Sequence, residues 1–177
     1  MKINEYVLIT GASSKLGKLI SEVLAKNNYS LLLHYYKSIN ETISLAKELA
    51  RRFKNQNFHT IHLDLSKHHS LDSISKALYS KTENIHGVIN NASLYERDHI
   101  NNFHKDNFES NLNIHFRNPV TLISIISEKL SGQNKHGFAI NITDEKLNRK
   151  NRFSYNISKT LLSNWNNKNI EKDIKIT

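Results

Sequence analysis

Two side chains near the end of this 177-residue sequence could move a proton together: Tyr155 and Lys159, in the run Ser154-Tyr-Asn-Ile-Ser-Lys159. A spacing of four places both on one face of a helix. A phenol titrates near pH ~10 and is a poor proton relay at neutral pH. An ammonium group beside it favours the ionised form and lowers that value, which suits general acid–base work. The pattern predicts proton transfer, with the lysine depressing the tyrosine.

A second stretch could hold phosphate. Val7-Leu-Ile-Thr-Gly-Ala-Ser-Ser-Lys-Leu-Gly17 feeds an apolar run into a turn and then a helix. Gly11 permits a tight turn, and Gly17 lets the helix pack closely enough for its N-terminus to face a pyrophosphate. Turns of this kind that hold NAD place an acid roughly 20 residues further on, against the ribose hydroxyls. Here the second apolar run ends as Leu31-Leu-Leu-His-Tyr-Tyr-Lys-Ser38, without an acid. A 2′-phosphate would be repelled by a carboxylate and held by Lys15, Lys37 and the Ser38 hydroxyl through charge-assisted hydrogen bonds. The set favours NADPH as cofactor. The alternative is that Lys15 and Lys37 are two surface lysines in a lysine-rich chain.

These groups need a scaffold, and the hydrophobic pattern supplies one. Strand-like runs fall at Tyr6–Thr10, Ser30–His34, Phe58–Leu63, Gly87–Asn90, Phe138–Ile142 and Ile174–Thr177. Between them, Leu16, Leu19, Ile20, Val23 and Leu24 follow helical spacing, as do Ile43, Ala46, Leu49, Ala50 and Phe53. Leu71, Ile74 and Leu78 mark a third helix. A long one is predicted from about Lys105 to Leu130, carrying the only proline, Pro119, and a last one holds Ile157, Leu161, Leu162 and Trp165. Alternating strands and helices predict an α/β fold, a Rossmann-like doubly wound parallel sheet in the order 3-2-1-4-5-6. No repeat or linker divides residues 1–177, so one NAD(P)-binding domain is expected.

Composition narrows the function. The net charge is +9, but the lysines are scattered among Asn, Ser and Glu without a basic stripe, so no nucleic-acid partner is expected. The absence of cysteine removes thiolate nucleophiles and disulfides and fits a reducing compartment. His59 and His62 point to opposite faces of a strand, so no metal site is expected. A polar N-terminus and the lack of a membrane-length apolar run make the expected location cytoplasmic.

The motifs resemble one family throughout. Thr10–Gly17, "TGASSKLG", is similar to the Thr-Gly-x-x-x-Gly-x-Gly turn of short-chain dehydrogenases/reductases, with Lys15 at the middle glycine. Pteridine reductases and bacterial dihydromonapterin reductases carry a basic residue there. The resemblance implies cofactor contacts from Gly11, Ser13, Ser14, Lys15, Leu16 and Gly17, and from Tyr36, Lys37 and Ser38. Asp64 resembles the family's adenine-side Asp, with Leu65 beside it. Asn90-Asn-Ala-Ser93 resembles the Asn-Asn-Ala-Gly turn, whose side chains brace the sheet end while Asn91 and Ala92 pass the cofactor. Tyr155 matches the proton donor, and Lys159 the residue that also holds the nicotinamide ribose.

The third catalytic member is usually a serine just past the fifth strand. Asp144 stands there, as in pteridine reductases, in a loop shorter than the family's; an Asp capping a turn is the other reading, and Thr143 is the fallback hydroxyl. His115, in Asn113-Ile-His-Phe-Arg-Asn-Pro119, replaces the usual Asn, as in dihydromonapterin reductases. It could support a water in the proton relay or serve as a buried structural histidine.

The resemblance implies an NADPH-dependent oxidoreductase that reduces a C=N or C=O bond of a small carbonyl compound or pterin. It also implies a homodimer formed through the long helices. Relatives continue beyond Lys172-Asp-Ile-Lys-Ile-Thr177 into a further helix and a seventh strand. The expectation is weak NADPH binding with little turnover, and the alternative is a non-catalytic nucleotide-binding remnant.

Overall fold

Apolar runs buried on both faces become the central strands. Every residue of β1 (Tyr6–Ile9) is buried, as are all but the last of β2 (Ser30–Tyr35) and all but one of β4 (Ile85–Asn90). Such strands suit a parallel sheet covered on both sides. β3 (Phe58–His62) alternates exposed and covered residues, as an edge strand does. In the computed structural model, which describes residues 5–166 and 174–176, the strands lie in the order β3-β2-β1-β4-β5, with β5 at Gly137–Asn141. A three-residue β6 (Ile174–Ile176) pairs beyond β5. All pairings are parallel, with Ile9 opposite Leu33 and Ile89, and Asn90 opposite Asn141. The predicted sheet order is the observed one; Thr177 lies outside the described residues.

Helices α1 (Lys15–Lys26) and α2 (Ile39–Arg52) cover one face, closing a core around Val7, Ile9, Leu31, Leu33 and Leu49. On the other face, α3 (Leu71–Tyr79) and α5 (Asn118–Gly132) bury Leu8, Leu32, Ile74, Leu122 and Ile126. Each such side chain contributes roughly 1.5–3 kcal/mol of burial energy. β4 begins earlier than the apolar run suggested, because His86 interrupts the pattern without interrupting the strand. Its ring stacks on Tyr29 and meets Phe138 edge-on.

The helix predicted from Lys105 to Leu130 runs without a break, but it is not α-helical throughout. α4 (Lys105–Leu112) passes through a π-helical turn, Asn113–Arg117, before α5 begins. Pro119 explains the change. It has no N–H for the His115 carbonyl, and its ring crowds that carbonyl, so the backbone widens. The Asn118 N–H instead reaches the Asn113 carbonyl. The turn also anchors the segment after β3: Asn113 Nδ2 donates to the Ser66 carbonyl at 3.0 Å and Asn118 Nδ2 to the Leu65 carbonyl at 2.8 Å. α6 (Phe153–Asn166) follows β5 and packs against α4. Among the described residues, no helix is long and apolar enough to cross a membrane.

Candidate active site

The carboxyl ends of five strands open into one cleft of about 1060 Å³. This is where doubly wound sheets bind ligands, beside the switch point between β1 and β4. Every residue expected to contact the cofactor lines it except Gly17, which is buried beneath the turn.

The β1–α1 turn is shaped by its glycines. Gly11 has φ +62°, in the left-handed region that disfavours a side chain. A Cβ at Gly17 would lie 2.4 Å from the Gly11 carbonyl oxygen and 2.8 Å from that of Ala12, so only glycine lets α1 start this close. The Ser14 Oγ caps α1 by accepting the Gly17 N–H at 3.0 Å. From β4, Asn91 Nδ2 donates to the carbonyls of Thr10 at 2.8 Å and Gly11 at 3.0 Å. The Thr10 hydroxyl oxygen accepts the N–H groups of Asn91 and Ala92, each at 2.9 Å. Asn90 Nδ2 reaches Asn141 Oδ1 at 2.7 Å, so the Asn-Asn pair braces the sheet end as the motif implied.

His34 holds the turn from the other side, a role its sequence context did not reveal. Its Nδ1 accepts the Gly11 N–H at 3.0 Å, which leaves the proton on Nε2 to meet the Leu63 carbonyl at 2.8 Å. Burial pushes its pKa down to about 4, so the ring is neutral at physiological pH.

Lys15 opens α1, and Lys37 ends the β2 side of the cleft with its ammonium 5.4 Å from the Tyr36 ring centroid. Both are exposed, and among the described residues neither forms a salt bridge. Ser13 Oγ donates to Ser38 Oγ at 2.9 Å, joining the two rims; Glu41 lies on the same side. Asp64 accepts the Ser66 N–H at 3.1 Å and its hydroxyl at 2.6 Å. Bonds from Ser66 and Tyr36 hold Asp64 below the usual carboxylate range, although burial opposes them.

At the other end of the cleft, the Tyr155 hydroxyl donates to Asp144 Oδ2 at 2.9 Å. The short β5–α6 loop therefore brings Asp144 within reach. Thr143 lines the cleft beside it. Lys159 Nζ does not reach the phenol. It donates to the Ile142 carbonyl at 2.6 Å, and burial lowers its pKa to about 8. The expectation that Lys159 depresses Tyr155 is corrected here. Burial raises the phenol above its ordinary value, and the bond to the Asp144 carboxylate raises it further. The helical spacing did bring both groups to one cleft, but each found its nearest partner elsewhere.

His115 sits behind the phenol rather than in the cleft. Its Nε2 accepts from the Leu94 N–H at 3.2 Å and lies 2.9 Å from Ser93 Oγ; its Nδ1 is 2.8 Å from Ser158 Oγ. Ser158 passes its own proton to the Tyr155 carbonyl at 3.0 Å. Both ring nitrogens are thus engaged, and burial holds the ring neutral with its pKa near 3. The ring stands edge-on to Tyr155, with centroids 5.3 Å apart. Of the two readings of His115, this geometry is that of a brace between the β4 turn and α6; no nitrogen is left for a relay water.

Other supporting groups were not anticipated. The Asp98 carboxylate caps α6 by accepting the Ser154 N–H at 3.0 Å and also its hydroxyl. Tyr95 packs its ring edge-on to Tyr155 at 4.9 Å. Arg149 clamps Asp144. These residues lie in polar loops, where one sequence gives no periodicity to mark them.

The chain belongs to the short-chain dehydrogenase family, whose model matches residues 5–167. It is 40% identical over 76 residues to the uncharacterized oxidoreductase YmfI of Bacillus subtilis (strain 168), covering 43% of this chain and 31% of that one. It is 34% identical over 76 residues to pteridine reductase 1 of Leishmania tarentolae, covering 43% of this chain and 24% of that one. These alignments therefore span less than a third of either relative. Among solved structures, FolM alternative dihydrofolate reductase 1 from Brucella canis, complexed with NADP, superposes with a TM-score of 0.82 at 26% identity. That match covers 94% of this chain and 67% of the other. L-Sorbose reductase from Gluconobacter frateurii, complexed with NADPH and L-sorbose, shares the fold, with a TM-score of 0.81 at 18% identity over 94% of this chain and 64% of that one.

Proposed function

We propose that the chain binds NADPH along the carboxyl edge of its sheet and reduces a C=N or C=O bond of a small molecule, with a pterin as the candidate substrate. The observation that carries this reading is the continuity of one cleft from the Gly11 turn to Tyr155 and Lys159. The residues fit a dinucleotide: a glycine turn that admits no Cβ, a capped helix start for the pyrophosphate, and two exposed lysines where a 2′-phosphate would lie. Tyr36 and Asp64 would frame the adenosine, with Leu65 beside them, and Lys159 would take the nicotinamide ribose hydroxyls. When bound, the reduced nicotinamide supplies the hydride.

The chain's own residues supply the proton. A phenol held above its ordinary pKa stays protonated at neutral pH and donates as the substrate accepts negative charge. Asp144 orients it, and the buried Lys159 ammonium supplies nearby positive charge. The pterin assignment is supported by the likeness to pteridine reductase 1 and to the NADP-complexed alternative dihydrofolate reductase. Two copies are inferred to pair through α4–α5 and α6, where Ile157 and Leu161 face outward one turn apart. A monomer in sedimentation would remove that part of the reading.

The test is NADPH oxidation in the presence of 7,8-dihydropterin. Tyr155→Phe should lower kcat by ~10²-fold or more while leaving NADPH affinity within a few-fold. Equal turnover by the variant would overturn the assignment.

A further inference from the structure

Arg149 closes the far side of Asp144. Its Nε donates to Oδ2 at 3.1 Å and its Nη2 to Oδ1 at 3.1 Å, the two-point grip that a planar guanidinium makes on a carboxylate. The same Oδ2 accepts the Tyr155 hydroxyl, so guanidinium, carboxylate and phenol form one chain. The backbone holds the clamp in place. The Lys146 N–H donates to Asp144 Oδ1 at 3.0 Å, and Asn156 of α6 accepts the Arg149 N–H at 3.3 Å and donates to its carbonyl at 2.8 Å.

We propose that Arg149 is a positioning residue for Tyr155, fixing the Asp144 carboxylate as the acceptor that sets the direction of the phenolic O–H. The assignment rests on Tyr155 being the proton donor. Asp144 is faced by Arg149 and the Lys146 N–H from its own loop, and by Tyr155 and Lys159 from α6. Tyr155 is faced in addition by the rings of Tyr95, from the loop after β4, and of His115. Arg152 lies over that Tyr95 ring at 4.2 Å. Arg149 is the largest influence on Asp144, holding it down at about 2. Without the clamp, the carboxylate would still accept the phenolic proton at neutral pH but would be free to turn, and the carboxyl would titrate nearer ~4, below which its acid form would donate rather than accept. The phenolic O–H would then lose its fixed direction.

The experiment compares the wild type with Arg149→Met and Arg149→Lys by two readouts. The first is the NMR titration of the Asp144 carboxyl carbon, which needs no turnover. Its midpoint should rise by more than one pH unit in Arg149→Met and by less in Arg149→Lys; an unmoved midpoint in a folded variant overturns the assignment. The second is NADPH-dependent reduction of dihydropterin. Arg149→Met should lose ~10-fold or more in kcat at an unchanged KM for NADPH and gain an acid limb near pH ~4, with partial rescue by Arg149→Lys. A wild-type rate and pH profile in Arg149→Met overturns it equally. If the wild type transfers no hydride, the proposed function fails. The Tyr155 phenolic carbon resonance then decides the positioning role, by shifting or not shifting between wild type and Arg149→Met.

Discussion

The Gly11 N–H donates to His34 Nδ1 at 3.0 Å, and the opposite edge of that imidazole meets the Leu63 carbonyl at 2.8 Å. One buried ring thereby ties the turn after β1 to the end of β3. His34→Phe would take away the partner of the part-buried Gly11 N–H and of the part-buried Leu63 carbonyl, at a cost of about 1 kcal/mol or more. It should also weaken NADPH binding, because the turn would lose its outer support. His34→Gln, which can both accept and donate, should recover part of each loss. Urea unfolding and cofactor titration of the two variants check this; equal stability of His34→Phe and wild type would contradict it.

The same ring makes stability depend on pH. His34 is depressed to about 4 and His115 to about 3, in both cases first by burial. Between those values and the unfolded value near ~6.5, the unfolded chain binds protons that the folded chain does not. Stability is therefore full above pH ~6.5 and falls as the pH drops toward 4, by up to about 1.4 kcal/mol per unit for each histidine. Asp144, depressed to about 2, adds a further loss below pH ~4, since its contribution is present above the unfolded carboxylate value and disappears as the pH falls through the folded one. Denaturant unfolding at a series of pH values should show a slope between pH 7 and 4 that His34→Gln reduces. A flat profile there would refute the burial argument.

Gly17→Ala tests the phosphate turn without touching a charge. The added Cβ would fall 2.4 Å from the Gly11 carbonyl oxygen, a backbone atom, so α1 must shift outward. The expected outcome is a loss of ~10-fold or more in NADPH affinity together with a lower melting temperature. Unchanged affinity would show that the helix start does not set the cofactor site.

The fold was legible because the strands carry their burial in plain form. β1 and β2 are continuous apolar runs, and their order followed from the alternation with helices. The residues expected on the cofactor side were brought to one cleft for a related reason, since Gly11, Lys15 and Lys37 sit at strand ends and at a helix start, which the sheet order gathers along one edge. The side proposed for proton transfer was legible only in part. The fold gathers Tyr155, Lys159 and Asp144 at one end of the cleft, as their spacing suggested, but their bonding was not readable. Lys159 turns to the Ile142 carbonyl, Arg149 takes Asp144 through a loop, and the π-helical turn forced by Pro119 aims His115 at Ser158. These outcomes depend on which partner lies nearest after folding, and one-dimensional spacing does not encode that.

The most direct test of the account is a fluorescence titration of the protein with NADPH and with NADH, repeated on Lys15→Ala/Lys37→Ala. The account predicts that the wild type binds NADPH at least ~10-fold more tightly than NADH, and that the double variant loses most of this preference while its affinity for NADH stays within a few-fold. Equal affinity for the two cofactors, or a preference that survives removal of both lysines, would contradict it.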